Sequence, residues 1–174
     1  MRFAQKLRKS QIKVQKKDNP VGSDLVLLLD NVYDTFNVGG MYRVGDAANV
    51  SKIYHGGATP YVPNSKITRA AVGLDKYIAQ TQVQDIAGKI TELKNEGFQI
   101  IALEQTKTSK IYDQVSYAGK IALVVGNETF GVDPEIIKLC DTVVELPMYG
   151  INKSLNVVVA TGIILYQIRK QLNS

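Results

Sequence analysis

The chain alternates short, unbroken hydrophobic blocks with stretches whose apolar residues recur every three or four positions. Leu25 to Asp30 is apolar at every position but the last, the pattern of a strand covered on both faces. The period then changes, and Val38, Met41, Tyr42, Gly45 and Ala48 mark one face of a helix reaching Asn49. Lys52 to His55 reads as a short strand ended by Gly56-Gly57, Asn64 to Val72 as a helix, and Tyr77 to Gln82 as a strand. Asp85 to Glu96 is amphipathic through Ile86, Ile90 and Leu93, with Gly97 as its stop. Gln99 to Leu103 and Ile121 to Val125 are expected to be buried strands. Asp133 and Pro134 open a short helix to Leu139, and Thr142 to Leu146 is the last strand. A long apolar helix follows, starting at the triplet Ser154-Leu155-Asn156. Its β-branched stretch would also suit a strand, but its length, polar start and basic end at Arg169 and Lys170 decide for helix. It is apolar almost all round as far as Tyr166, which predicts burial on several sides, in the core or against another subunit. The alternation as a whole predicts an α/β fold, a mostly parallel sheet with helices on both faces.

At 174 residues the chain fits one domain with a sizeable core. No apolar run approaches the ~18 residues of a membrane span, and the basic start is followed by no apolar signal segment. A single cysteine, Cys140, and a single histidine, His55, offer neither an internal disulfide nor a zinc set, so a cytoplasmic, metal-free protein is expected. His55 is read as an end-of-strand residue and Cys140 as a small buried hydrophobe. Charge changes the picture more. The net charge is +5, yet residues 1–17 hold seven basic residues and no acid, leaving 14 basic against 16 acidic residues in the rest. Residues 1–20 are therefore expected to form a basic arm, with Phe3 and Leu7 anchoring a helical turn pair, ahead of a domain spanning 21–174. Such an arm suits phosphates; the plainer alternative is a solvated tail.

Candidate chemistry gathers after strands, where ligands of open α/β sheets collect. After Leu25–Asp30 come Asn31, Asp34, Asn37, Gly39, Gly40 and Arg43; after Ile121–Val125 come Gly126, Asn127, Glu128 and Gly131; after the last strand comes the loop from Leu146 to Asn156. Glycines there let a ligand approach the backbone, and Glu128 supplies an acceptor for hydroxyl or amino groups. Ser154 and Asn156 bracket the first turn of the last helix, although one cap needs only one such residue. Gly-Asn-Glu-Thr-Phe-Gly is neither a P-loop nor a dinucleotide fingerprint. Each piece also has a plain reading: Arg43 pairing with Asp46, the glycines as turns, Glu128 as a solvated side chain.

Three segments in order resemble the SpoU (TrmH-type) branch of the SPOUT RNA 2′-O-ribose methyltransferases. They are Asn37 to Arg43 (NVGGMYR), Gly126 to Gly131 (GNETFG) and Pro147 to Val157 (PMYGINKSLNV). The resemblance covers Leu25 to the C-terminus. It implies S-adenosylmethionine (SAM) as methyl donor, a homodimer packed through the terminal helix, and a C-terminal trefoil knot. It implies that the backbone around Leu103, Gly126, Leu146, Ile151 and Leu155 holds the cofactor. Arg43 is implied at the ribose 2′-hydroxyl or its adjacent phosphate, with Asn37, Glu128, Ser154 and Asn156 ordering the site. A ribose hydroxyl is a poor nucleophile at neutral pH, and an arginine is a poor base, so electrostatic activation is preferred over proton abstraction. The expected substrate is tRNA, at a guanosine-type target, with ribosomal RNA the alternative. Rival readings are a non-catalytic RNA-binding module of the same fold and a flavodoxin-like nucleotide binder.

Overall fold

The computed structural model of the protein describes residues 24–173; the predicted basic arm, residues 1–20, lies outside the described residues. The buried strand predicted at Leu25 is β1 (Leu25–Asp30), joined by β2 (Lys52–Gly56), β3 (Ala79–Val83), β4 (Phe98–Leu103), β5 (Lys110–Ile111), β6 (Lys120–Val125) and β7 (Thr142–Glu145). They form one sheet in the order β3-β2-β1-β6-β4-β7-β5, and every pair is parallel. The helices are α1 (Thr35–Ala47), α2 (Ser65–Ala70), α3 (Ile86–Asn95), α4 (Pro134–Leu139) and α5 (Val157–Leu172).

The two sides of β1 explain its unbroken hydrophobicity. Leu25, Leu27 and Leu29 pack into a core shared with α1, α2 and α5, while Val26 and Leu28 join a second core under α3 and α4. Each fully buried Leu contributes about 1.5–3 kcal/mol, so sandwiching β1 is a principal source of the fold's stability. Polar starts set the helices: Asp34, Asn64, Asp85, Asp133 and Asn156 each cap one with a side-chain oxygen.

Three expectations shift. A 3₁₀ turn at Leu74–Lys76 accepts the Tyr77 N–H at the Leu74 carbonyl, so β3 starts at Ala79 rather than Tyr77. Helix α5 starts at Val157, with Asn156 as its cap; Ser154 stands outside it, in the preceding loop. Within the chain α5 is covered on one side only, through Thr161, Ile164, Leu165 and Ile168, while Val159, Ile163 and Tyr166 face outward. Its C-terminal end is fastened by Arg169, whose guanidinium donates to the Ala48 and Asn49 carbonyls and pairs with Asp24.

Candidate functional site

A parallel sheet delivers all its strand ends to one edge, and four neighbours, β1, β6, β4 and β7, end side by side there. Their loops enclose a cavity of about 890 Å³, a size common for small-molecule sites. Its apolar wall includes Leu103, Leu146, Met148, Leu155 and Ala160. Its charged lining is four carboxylates, Asp34, Glu104, Glu128 and Glu145, with no lysine or arginine.

The loop after β6 is built by Asn127. Its backbone exchanges two 2.9 Å hydrogen bonds with Gly131, its Oδ1 accepts from the Thr129 and Phe130 N–H groups, and its Nδ2 donates to the Asn31 carbonyl. A methyl on Gly126 would stand 2.2 Å from the Gly131 carbonyl carbon and the Val132 nitrogen, so only glycine fits that closed turn. The turn aims Glu128 at α1, where its carboxylate accepts from Asn37 Nδ2 (2.8 Å) and from the Asp34 and Tyr33 N–H groups (3.3 and 3.4 Å). Burial pushes this carboxyl up, but the hydrogen bonds from Asn37 and the backbone outweigh it and leave it below the usual carboxylate range.

Because a carboxylate only accepts, Asn37 turns its NH₂ to Glu128 and its oxygen to Asn156 Nδ2, 3.0 Å away. Asn156 is then left with its oxygen for the Val158 and Val159 N–H groups at the mouth of α5. One chain of side chains, Glu128–Asn37–Asn156, thus joins the three segments singled out in the sequence.

Of the expected site residues, Asn37, Leu103, Gly126, Glu128, Leu146, Ser154, Leu155 and Asn156 line the cavity. Arg43 and Ile151 do not. Arg43 is exposed on α1 and makes no ion pair with Asp46. Ile151 is fully exposed on its loop. Glu128, expected as an acceptor for hydroxyl or amino groups, is engaged within the chain by three donors. Ser154 makes no side-chain hydrogen bond among the described residues.

The fourth wall was missed. Glu104 accepts from the Gln105 N–H with one oxygen and from the Val132 N–H with the other, tying the loop after β4 to that after β6. An acid directly after an apolar run, as at Asp30, was the available signal. Asp30 accepts from the Asp133 N–H in the same way. His55 is more than a strand end, being fully buried and bonded through both ring nitrogens. Cys140 is half-buried; its thiol donates to the Ile136 carbonyl and burial pushes its pKa up to about 12. No helix among the described residues is long and apolar enough to cross a membrane.

Comparison with known proteins identifies the family of the chain. The model of the SpoU rRNA Methylase family matches residues 24–166. The tRNA (guanosine(18)-2′-O)-methyltransferase of Aquifex aeolicus is 40% identical over 150 residues, covering 85% of this chain and 70% of that protein. The Bacillus subtilis 23S rRNA (guanosine(2553)-2′-O)-methyltransferase RlmP is 34% identical over 144 residues, 83% of this chain and 57% of its own length. Among solved structures, the A. aeolicus TrmH/SpoU tRNA modifying enzyme superposes with a TM-score of 0.79 at 35% identity, covering 93% of this chain and 82% of that one. The AdoMet-bound rRNA methyltransferase of Sinorhizobium meliloti gives 0.81 at 28% identity, covering 91% and 60%. With that much of its length matched, and its three motif segments meeting at one cavity, the chain belongs to the SpoU methylase family.

Proposed function

We propose that the protein transfers a methyl group from SAM to a ribose 2′-hydroxyl of RNA, with tRNA favoured and ribosomal RNA second. The observation that carries this reading is the cavity itself: an apolar wall with four carboxylates and no base suits a ligand that is part hydrophobic and cationic at its sulfonium and ammonium groups. When bound, SAM supplies the electrophilic methyl. The relatives named for tRNA and rRNA guanosine 2′-O-methylation support the substrate class.

The chain's own residues then divide the work. Leu103, Leu146 and Leu155 exclude water on one side, and Gly126 lets the backbone close over the cavity floor. Asn37, Glu128 and Asn156 lock the three loops in register, so that little reorganisation remains at the moment of reaction. In this reading Ser154, which makes no side-chain hydrogen bond among the described residues, meets the ligand, and the backbone around Ile151 contributes to holding it. Arg43 sits on the stretch of α1 between two contacts with α5, at Gly40 against Val158 and at Val44 against Gly162. In this reading its guanidinium, in no ion pair among the described residues, stabilises a developing alkoxide or holds the neighbouring phosphate.

The rest of the reading is a cytoplasmic homodimer formed through the outward stripe of α5, a basic arm that holds phosphates, and a C-terminal trefoil knot. Support for the knot is the last loop lying across the one after β4, where Gln105 donates to the Lys153 carbonyl.

Incubation with tritiated SAM and unmodified tRNA or rRNA, followed by nuclease mapping, tests the proposal. Label on a single 2′-oxygen is expected; absence of both label and SAM binding overturns it. Arg43→Ala is expected to abolish transfer while SAM binds as before, and loss of SAM binding in that variant removes the role given to Arg43.

A further inference from the structure

Away from the cavity, one surface of the described chain carries charge of a single sign. From Asn64 to Tyr77 it exposes Lys66, Arg69 and Lys76, and none of them makes an ion pair or side-chain hydrogen bond among the described residues. The one acid there, Asp75, is buried and accepts from the Thr68 hydroxyl at 2.8 Å. Around α3, α4 and the end of α5, by contrast, Lys89, Lys94, Lys138 and Arg169 each pair with a carboxylate.

This basic surface borders the helix that carries Arg43. Helix α2 lies so close to α1 that a methyl on Gly39 would stand 2.4 Å from Ala70 Cβ, and Arg43 is the next turn of α1. Asp46, the acid one turn beyond, is half-buried, and burial raises its pKa. Tyr77, beside Lys76, is 48% exposed and offers a ring against which an unpaired base can stack.

We propose that α2 and the 3₁₀ turn after it form a track for the RNA backbone, on which Lys66, Arg69 and Lys76 contact the phosphates flanking the nucleotide held at Arg43. The inference rests on RNA being the substrate. It follows from charge: four carboxylates in the cavity repel phosphate, so a polynucleotide reaching that cavity needs a separate path of positive charge outside it.

Counterion release supplies the test. Binding of the full chain to a labelled single-stranded oligouridine is followed by anisotropy across a range of salt. Each phosphate contact removed from a single strand flattens the plot of log affinity against log salt by about 0.7, so K66A/R69A is expected to flatten it by about 1.4. Affinity is expected to fall several-fold, with SAM binding by calorimetry unchanged. The control K94A/K138A, on the opposite face of the sheet, is expected to leave the slope alone. An unchanged slope in K66A/R69A, or an equal change in the control, overturns the track. If the unaltered chain binds SAM and RNA but K66A/R69A behaves like it, only the track fails. If the unaltered chain labels tRNA or rRNA from tritiated SAM without binding the oligouridine, the track again fails alone; if it does neither and binds no SAM, the proposed function fails with it.

Discussion

Asn156 shows how much one side chain carries here. Its oxygen caps α5 while its amide reaches Asn37, so its two ends serve stability and site geometry separately. Asn156→Ala loses both and is expected to cost about 0.5–2 kcal/mol in thermal unfolding, the range for a lost cap. Asn156→Asp keeps the cap oxygen but cannot donate to Asn37, so it is expected to melt near the unaltered protein and still lose methyl transfer. Equal melting of the two variants would show that the cap contributes nothing. Glu128 sits at the other end of the same chain, and its charge fixes which way both amides point. The motif segments in the sequence named these residues, but not that they bond to one another. That depends on a turn closed by Asn127 and on strand ends far apart in the chain.

Among the elements, β2 and α1 are coupled by a buried polar cluster. His55 Nδ1 donates to the Pro60 carbonyl at 2.9 Å, and its Nε2 meets the Tyr42 hydroxyl at 2.8 Å, with Gln80 also at that hydroxyl. Burial pushes the His55 pKa down, with the Pro60 carbonyl partly offsetting it. The unfolded chain binds a proton below its ordinary value of about 6.5 that the native ring refuses, so stability is full above that pH and is lost as pH falls below it. Denaturant midpoints at pH 7.5 and 5.5 check this: the unaltered chain is expected to lose more on acidification than His55→Gln. Equal losses would remove His55 as the cause. Element types were legible wherever the period was strong, as in β1, α1 and α3. Edges were not: Lys110–Ile111 is too short for any period, and the 3₁₀ turn before β3 depends on one backbone hydrogen bond. The outward side of α5 was hidden because an all-round apolar helix does not say which side its own chain covers.

At the scale of the whole molecule, that outward side is the feature to test. Val159, Ile163 and Tyr166 are spaced three and four residues apart, a stripe along the length of α5. In the proposed dimer a second copy covers it, and Ile163→Glu with Tyr166→Glu is expected to yield a monomer by sedimentation. A dimer that persists would place the contact elsewhere. The carboxyl-edge location of the site was readable from the residues that follow the predicted strands, whereas the order β1-β6-β4-β7 was not, since sequence pattern does not say which strand lies beside which.

That order has a consequence for how the chain is made. Strand β6 is the middle lane of the sheet, and β1 and β4 meet only through it. A nascent chain can pair β1, β2 and β3 early, but until residue 125 has left the ribosome both β1 and β4 present an open, hydrophobic edge. Synthesis of this protein therefore passes through an interval in which two unmatched strands await one partner. A pause in translation while β4 is outside the ribosome and β6 still within it would prolong that exposure more than a pause after β6 has emerged.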